Sequence, residues 1–126
     1  MFKENTKINL VAEICQNHNG SITLLKEMIH AASEAGIKYL KIQDIVSKEL
    51  VHRKKFDNPK SKKNLFRPYK KEKQRLSKLD LPKNFRDIFI EECKKKNCKP
   101  LITPFTHSSV NRIKNLDFYA LKIASY

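Results

Sequence analysis

The chain has 126 residues, 40% of them hydrophobic and 32% charged, which is the size of one small domain with enough apolar material for a core. A mean hydropathy of −0.61 leaves room for loop and solvated surface. Its 27 Lys+Arg against 13 Asp+Glu give +14, the usual footprint of a nucleic-acid binder, but 22 of those cations are Lys and only five are Arg, the better residue for gripping phosphate. The excess is also local: residues 46–80 hold 13 Lys+Arg and 4 Asp+Glu, which reads as a solvated basic loop with few interleaved aromatics, so nucleic-acid binding is a minor alternative. The start MFKENTKINL lacks a signal-peptide run, and no window approaches the ~18 apolar residues of a membrane span. A cytoplasmic protein is expected. Cys15, Cys93 and Cys98 form no CxxC pair and are odd in number, so they read as reduced thiols.

Segment 8–14, INLVAEI, reads as a buried strand that ends in the polar turn QNHNG. From Ser21, an N-cap candidate, Ile22, Leu25, Met28, Ile29, Ala32 and Ala35 recur on one helical side until Gly36 stops them. YLKIQDI (39–45) is too short for a helix and alternates, giving a second strand. The basic stretch 46–80, broken by Asn58-Pro59 and Arg67-Pro68, is expected to be mostly loop with one or two helical turns near 70–79. Pro82 suits a first helical position, and Phe85, Ile88, Phe89 and Cys93 form a stripe that runs out in KKKN. KPLITPF (99–105) is a third strand, SSVNRIKNL (108–116) a short helix, and YALKIAS (119–125) a fourth strand.

Strands alternating with helices point to an α/β fold with a parallel sheet. YLKIQD and ALKIAS echo each other 81 residues apart. A strand at the very end would leave a raw edge, and a whole (β/α)-barrel takes about 250 residues. The expectation is therefore the N-terminal half, about four βα units, of a (β/α)8 TIM barrel, with a basic insertion at about 46–80, in a truncated or fragmentary chain.

Parallel strands covered on both faces should be apolar, so Glu13, Lys41 and Lys122 are informative. Alternation places Glu13 with Val11, Lys41 with Gln43, Thr103 with Leu101, and Lys122 with Ala124 on one common face, the barrel lumen, near the strands' C-terminal ends. Each lysine alone could be an edge residue snorkelling to water. Two of them beside Thr103 and Ser125 would make a site for a small, multiply charged anion such as a carboxylate-phosphate.

At these residues the sequence resembles a family. AEICQNHNG resembles the AEIGxNHNG signature of sialic-acid synthases, KIQD their K-[FI]-Q segment, ITPF their S-T-P-F strand and KIASY their KIAS[GY] strand, in order and at matching spacing. KIASY is more similar to the branch with legionaminic- and pseudaminic-type nonulosonate synthases. The resemblance implies a transferase that condenses phosphoenolpyruvate with an N-acylated amino sugar, assisted by a divalent metal (Mn or Mg), and that acts as a homodimer when full-length. It implies that Lys41, Thr103, Lys122 and Ser125 hold phosphoenolpyruvate, while Glu13 and Gln43 face the sugar and the metal-bound water. Metal ligands are expected on later strands. The C-terminal half of the barrel and an antifreeze-like domain would be absent, leaving residues 1–126 inactive alone. A different phosphoenolpyruvate or sugar-phosphate barrel sharing only the lumen lysines is the alternative. Two positions depart from the family: Cys15 stands where Gly is usual, and Thr106-His107 replaces an acidic start. His18 reads as loop architecture, and His30, His52 and His107 as lone surface histidines.

Overall fold

A computed structural model describes residues 8–57 and 66–124. Ser125, one of the residues assigned to the anion site, lies outside them. The elements run β1 (Val11–Cys15), α1 (Ile22–Glu34), β2 (Tyr39–Asp44), a 3₁₀ turn (Ser47–Glu49), α2 (Lys54–Asp57), α3 (Tyr69–Ser77), α4 (Phe85–Lys95), β3 (Lys99–Pro104), α5 (His107–Ile113) and β4 (Ala120–Leu121). The four strands form one parallel sheet in the order β1-β2-β3-β4. Sequential parallel neighbours joined by helical crossovers are the repeating unit of a (β/α)-barrel.

Strand alternation sorts the sheet into two faces. Ile14, Leu40, Ile42 and Ile102 turn to the helices and join Leu25 and Ile29 of α1, Phe85, Phe89 and Cys93 of α4, and Ile113 of α5 in one core. Burying a Leu, Ile or Phe side chain contributes about 1.5–3 kcal/mol each, so this layer is what holds helices to sheet. The intervening residues of β2, Tyr39, Lys41 and Gln43, are half-buried on the other face.

α1 begins as its sequence implies, with Ser21 Oγ accepting the Leu24 N–H at 3.2 Å, and ends at Gly36, whose φ of +84° an L side chain would resist. α4 starts later than the Pro82 rule suggests. The Pro82 carbonyl instead accepts the Phe85 N–H at 2.9 Å, closing a turn before the helix, which begins at Phe85. α5 starts one residue earlier than expected because Thr106 Oγ1 caps it by accepting the Ser109 N–H at 3.0 Å. β4 spans two residues rather than seven, although the Lys122 N–H still donates to the Ile102 carbonyl at 3.0 Å.

Residues 46–80 carry the helical turns expected near 70–79 as α3 and add the 3₁₀ turn and α2. Asp80 ties the two ends of the segment, accepting the Ser47 N–H at 2.9 Å and the Ser47 hydroxyl at 2.5 Å. Within it, the Phe56 carbonyl accepts the Arg67 N–H at 3.0 Å, Asp57 accepts the Tyr69 N–H at 2.7 Å, and the His52 and Tyr69 rings stack with centroids 4.7 Å apart. The described parts are thus a stapled helical insert rather than mostly loop. Its outer lysines, Lys48, Lys54, Lys70, Lys71, Lys73 and Lys78, are exposed as a solvated surface should be.

Candidate functional site

Glu13 and Lys41 are register partners on β1 and β2, and Gln43 and Thr103 are partners on β2 and β3. That register brings the lumen-face side chains into contact. Lys41 Nζ forms an ion pair with Glu13 Oε2 and donates to Thr103 Oγ1 at 3.4 Å. An ammonium group has three N–H bonds, so these two partners leave one for a further acceptor. Burial lowers the Lys41 pKa from the usual lysine value, and the charge of Lys122 lowers it further. Lys122 therefore lies close enough for its field to be felt at Lys41, although its own side chain is exposed. Of the predicted site residues, Glu13, Lys41, Gln43 and Thr103 come together, with Lys122 alongside.

Glu13 Oε1 accepts the Cys15 N–H at 3.1 Å, and Gln43 Nε2 donates to Cys15 Sγ at 3.5 Å. Cys15 has a φ of +53° and sits at a register shift between β1 and β2. A left-handed backbone costs an L residue about 1–2 kcal/mol, which accounts for the glycine that sialic-acid synthases favour here. The bulge turns the thiol toward Gln43 beside the Glu13–Lys41 pair. Just beyond, His18 is buried, its Nδ1 accepts the Gly20 N–H at 3.1 Å, and desolvation lowers its pKa below the ordinary histidine value. It braces the turn. A Cβ on Gly20 would stand 2.7 Å from the Lys78 carbonyl, so the same turn needs glycine to pack against the end of the insert.

Sequence reasoning missed the other face of the β2 terminus. Asp44 follows Gln43 and points the opposite way, into the helices, where it is 1% exposed. Arg86 of α4 pairs with its Oδ1, Ser109 of α5 donates its hydroxyl to Oδ2, and Arg112 Nη2 reaches Oδ2 at 3.4 Å. Arg112 also grips Glu49, at 2.5 Å to Oε1 and 3.0 Å to Oε2, and Thr106 donates to Glu49 Oε2 at 2.7 Å. Arg112 holds the Glu49 carboxyl at a pKa of about 2, with burial opposing and Thr106 assisting. The signal was in the sequence: alternation placed Asp44 with Leu40 and Ile42, where an unpaired carboxylate is costly and so demands cations. Thr106 gains a role as well, capping α5 and fixing Glu49.

A cavity of about 560 Å³ lies above the strand ends, walled by the insert on one side and by Gln43, Phe105 and Ala124 on the other. Among the described residues, no three His, Cys, Asp or Glu side chains converge as a metal site, and no helix is long and apolar enough to cross a membrane. The described cysteines are free.

Comparison with known proteins agrees with this geometry. The chain is 30% identical over 119 residues to the N,N'-diacetyllegionaminic acid synthase of Campylobacter jejuni, covering 94% of this chain and 35% of that protein. It is 26% identical to the pseudaminic acid synthase of Helicobacter pylori, covering 93% of this chain and 34% of the relative. The chain thus spans about a third of the length of the curated relatives it matches. The crystal structure of N-acetylneuraminic acid (sialic acid) synthetase from Leptospira borgpetersenii superposes with a TM-score of 0.69 at 26% identity, over 90% of this chain and 34% of that one. The parallel sheet and its helices match the N-terminal part of that structure. Residues 28–126 match the NeuB family, and the chain belongs to it.

Proposed function

We propose that this chain supplies the first strands of a nonulosonate synthase barrel, which condenses phosphoenolpyruvate with the open-chain aldehyde of an N-acylated amino sugar. Resemblance to legionaminic and pseudaminic acid synthases supports a nonulosonic acid as product. The observation that carries the reading is Lys41, an ammonium at the strand ends that burial and Lys122 together make costly to charge, with one N–H to spare. A carboxylate-phosphate dianion placed there relieves the repulsion between the two lysines and accepts from both, with Thr103 and Ser125 completing the cradle.

In the reaction, C3 of phosphoenolpyruvate attacks the aldehyde carbon, the aldehyde oxygen becomes an alkoxide that takes a proton, water adds at C2 and phosphate leaves. In this reading Glu13, held by Lys41 and the Cys15 N–H, would orient or accept a proton from the sugar side, and Gln43 would hydrogen-bond the acceptor. A divalent metal, Mn or Mg, would polarise the aldehyde. Glu13 and Gln43 offer it three side-chain oxygens at most, too few for a six-coordinate cation, so its remaining ligands belong to later strands of the barrel. Residues 1–126 carry part of the site in this reading and are inactive alone, within a cytoplasmic homodimer completed by the remaining strands and a C-terminal antifreeze-like domain.

The test is calorimetric titration of the complete barrel polypeptide with phosphoenolpyruvate. Lys41→Ala and Lys122→Ala should each weaken binding by ~2 kcal/mol or more, as charge-assisted hydrogen bonds are lost. Unchanged affinity in both variants would make the lysines structural.

A further inference from the structure

In residues 46–80, 13 Lys+Arg against 4 Asp+Glu leave a net +9 of the chain's +14, so the insert rather than the barrel carries most of the charge. Its four acids are committed within the fold: Glu49 to Arg112 and Thr106, Asp57 to His52 and the Tyr69 N–H, Glu72 to Arg75, and Asp80 to Ser47. The lysines are not. The described lysine ion pairs fall at Lys26, Lys41, Lys94 and Lys95, so among the described residues no acid answers Lys48, Lys54, Lys70, Lys71, Lys73 or Lys78, all of them exposed.

This charge stands at the mouth of the anion site. α3 turns Tyr69, Glu72, Arg75 and Leu76 into the wall of the cavity above the strand ends, and Arg53 and Arg67 line the same cavity. Lys73 Nζ lies 5.7 Å from the centroid of the Tyr69 ring, at the edge of that wall. Across the cavity, Gln43 is two residues beyond Lys41 on the same face of β2, and Ala124 is two residues beyond Lys122. Two residues of strand span roughly 6.6 Å. Cations therefore stand in succession from the exposed lysines, through the arginines of the wall, to Lys41 and Lys122. Lysine suits the outer part of such a path, because a strongly hydrated ammonium contributes field but little hold, whereas the guanidinium fork grips phosphate. A single-stranded nucleic acid, the other user of a basic face, stacks successive bases on aromatic rings. Of the insert's three aromatics, Phe56 and Tyr69 line the cavity and Phe66 alone is exposed.

We propose that the insert is an electrostatic funnel, in which Lys70, Lys71 and Lys73 of α3 draw phosphoenolpyruvate toward the strand ends and speed its arrival without belonging to the site that holds it. This rests on the condensation reading above and adds how the charged substrate is captured, while the neutral amino sugar enters unassisted. Clefts lined by one sign of charge raise association rates by roughly 10–10³. The Debye length of about 10 Å at 0.1 M salt confines the effect to the last stretch of approach and makes it sensitive to ionic strength.

The test is stopped-flow association of phosphoenolpyruvate with the complete barrel polypeptide across a range of sodium chloride concentrations. Lys70→Gln, Lys71→Gln and Lys73→Gln, combined, remove three exposed charges and keep a good helix former at each position. At ~20 mM salt this variant should associate roughly three- to tenfold more slowly, with the dissociation rate and KM for a neutral N-acetylated hexosamine within about twofold of the parent. In ~0.5 M salt the difference should vanish. Arginine at the same three positions should keep the parent rate, since charge rather than a specific contact is at work. Lys38→Gln, Lys94→Gln and Lys114→Gln, combined, take the same charge from exposed positions just before β2, in the last turn of α4 and just after α5, away from the mouth, and should leave association within about twofold of the parent. Equal slowing by both triple variants, slowing that persists in high salt, or no slowing at all would overturn the funnel. So would salt-sensitive binding of single-stranded DNA that the α3 variant abolishes while phosphoenolpyruvate association stays unchanged. Failure of the underlying reading looks different: Lys41→Ala then leaves phosphoenolpyruvate binding unchanged, whereas failure of the funnel alone leaves the Lys41→Ala loss in place.

Discussion

The two faces of β2 end in opposite treatments of charge. Asp44, on the helix side, is fully enclosed, with Arg86, Arg112 and Ser109 all directed at its carboxylate. Lys41, three residues earlier on the lumen side, has Glu13 and Thr103 as partners and keeps part of its donor capacity open beside Lys122. A charge whose bonding is used up internally is a fastener, joining strand to helices. A charge left partly unanswered at a strand's C-terminal end is what a ligand site requires, and one strand carries both because alternation separates them by direction.

The largest expected effect comes from undoing the fastener. Asp44→Ala leaves Arg86 buried without its carboxylate and should destabilise the folded protein by about 3–5 kcal/mol in urea titration, with no specific loss of phosphoenolpyruvate affinity in the fraction that remains folded. A stable Asp44→Ala protein would erase the contrast between the faces. Glu49 gives a smaller, pH-dependent version of the same test. Its folded pKa of about 2 lies below the 4.5 of the unfolded chain, so its stabilisation is fully present above pH 4.5 and is lost as pH falls from there toward 2. Water reaches 24% of its side chain, so about 1–2 kcal/mol is the reasonable size. Denaturation midpoints measured across that window should slope less in Glu49→Gln than in the parent, and identical slopes would remove Glu49 from the network.

Much of this was legible before any coordinates. The strands announced themselves by length and alternation, α1 by its Ser21 cap and Gly36 stop, and parity alone put Glu13, Lys41, Gln43 and Thr103 on one face. What escaped had weak local signals. α2, KKFD, is a single turn with only Phe56 apolar, and α3, YKKEKQRLS, although expected as one or two turns near 70–79, carries only Tyr69 and Leu76 to mark an apolar side, so its packing was faint. The Asp44 network joins residues 42 to 68 positions apart, and no single window of sequence displays it. The same holds for the cavity, whose lining takes Arg53, Arg67 and Arg75 from the basic stretch and none of its described lysines, although all three arginines are as exposed as those lysines.

Glu13 is where the two treatments of charge meet, because its ion pair with Lys41 could serve as either fastener or orienter. The direct measurement is melting temperature and turnover together on Glu13→Gln in the complete barrel polypeptide. A functional carboxylate predicts an unchanged fold, retained phosphoenolpyruvate binding and turnover lower by ~10²-fold or more, the scale for losing a positioned acid or base. A lowered melting temperature with turnover falling only in proportion, or a stable protein with near-normal turnover, would contradict it.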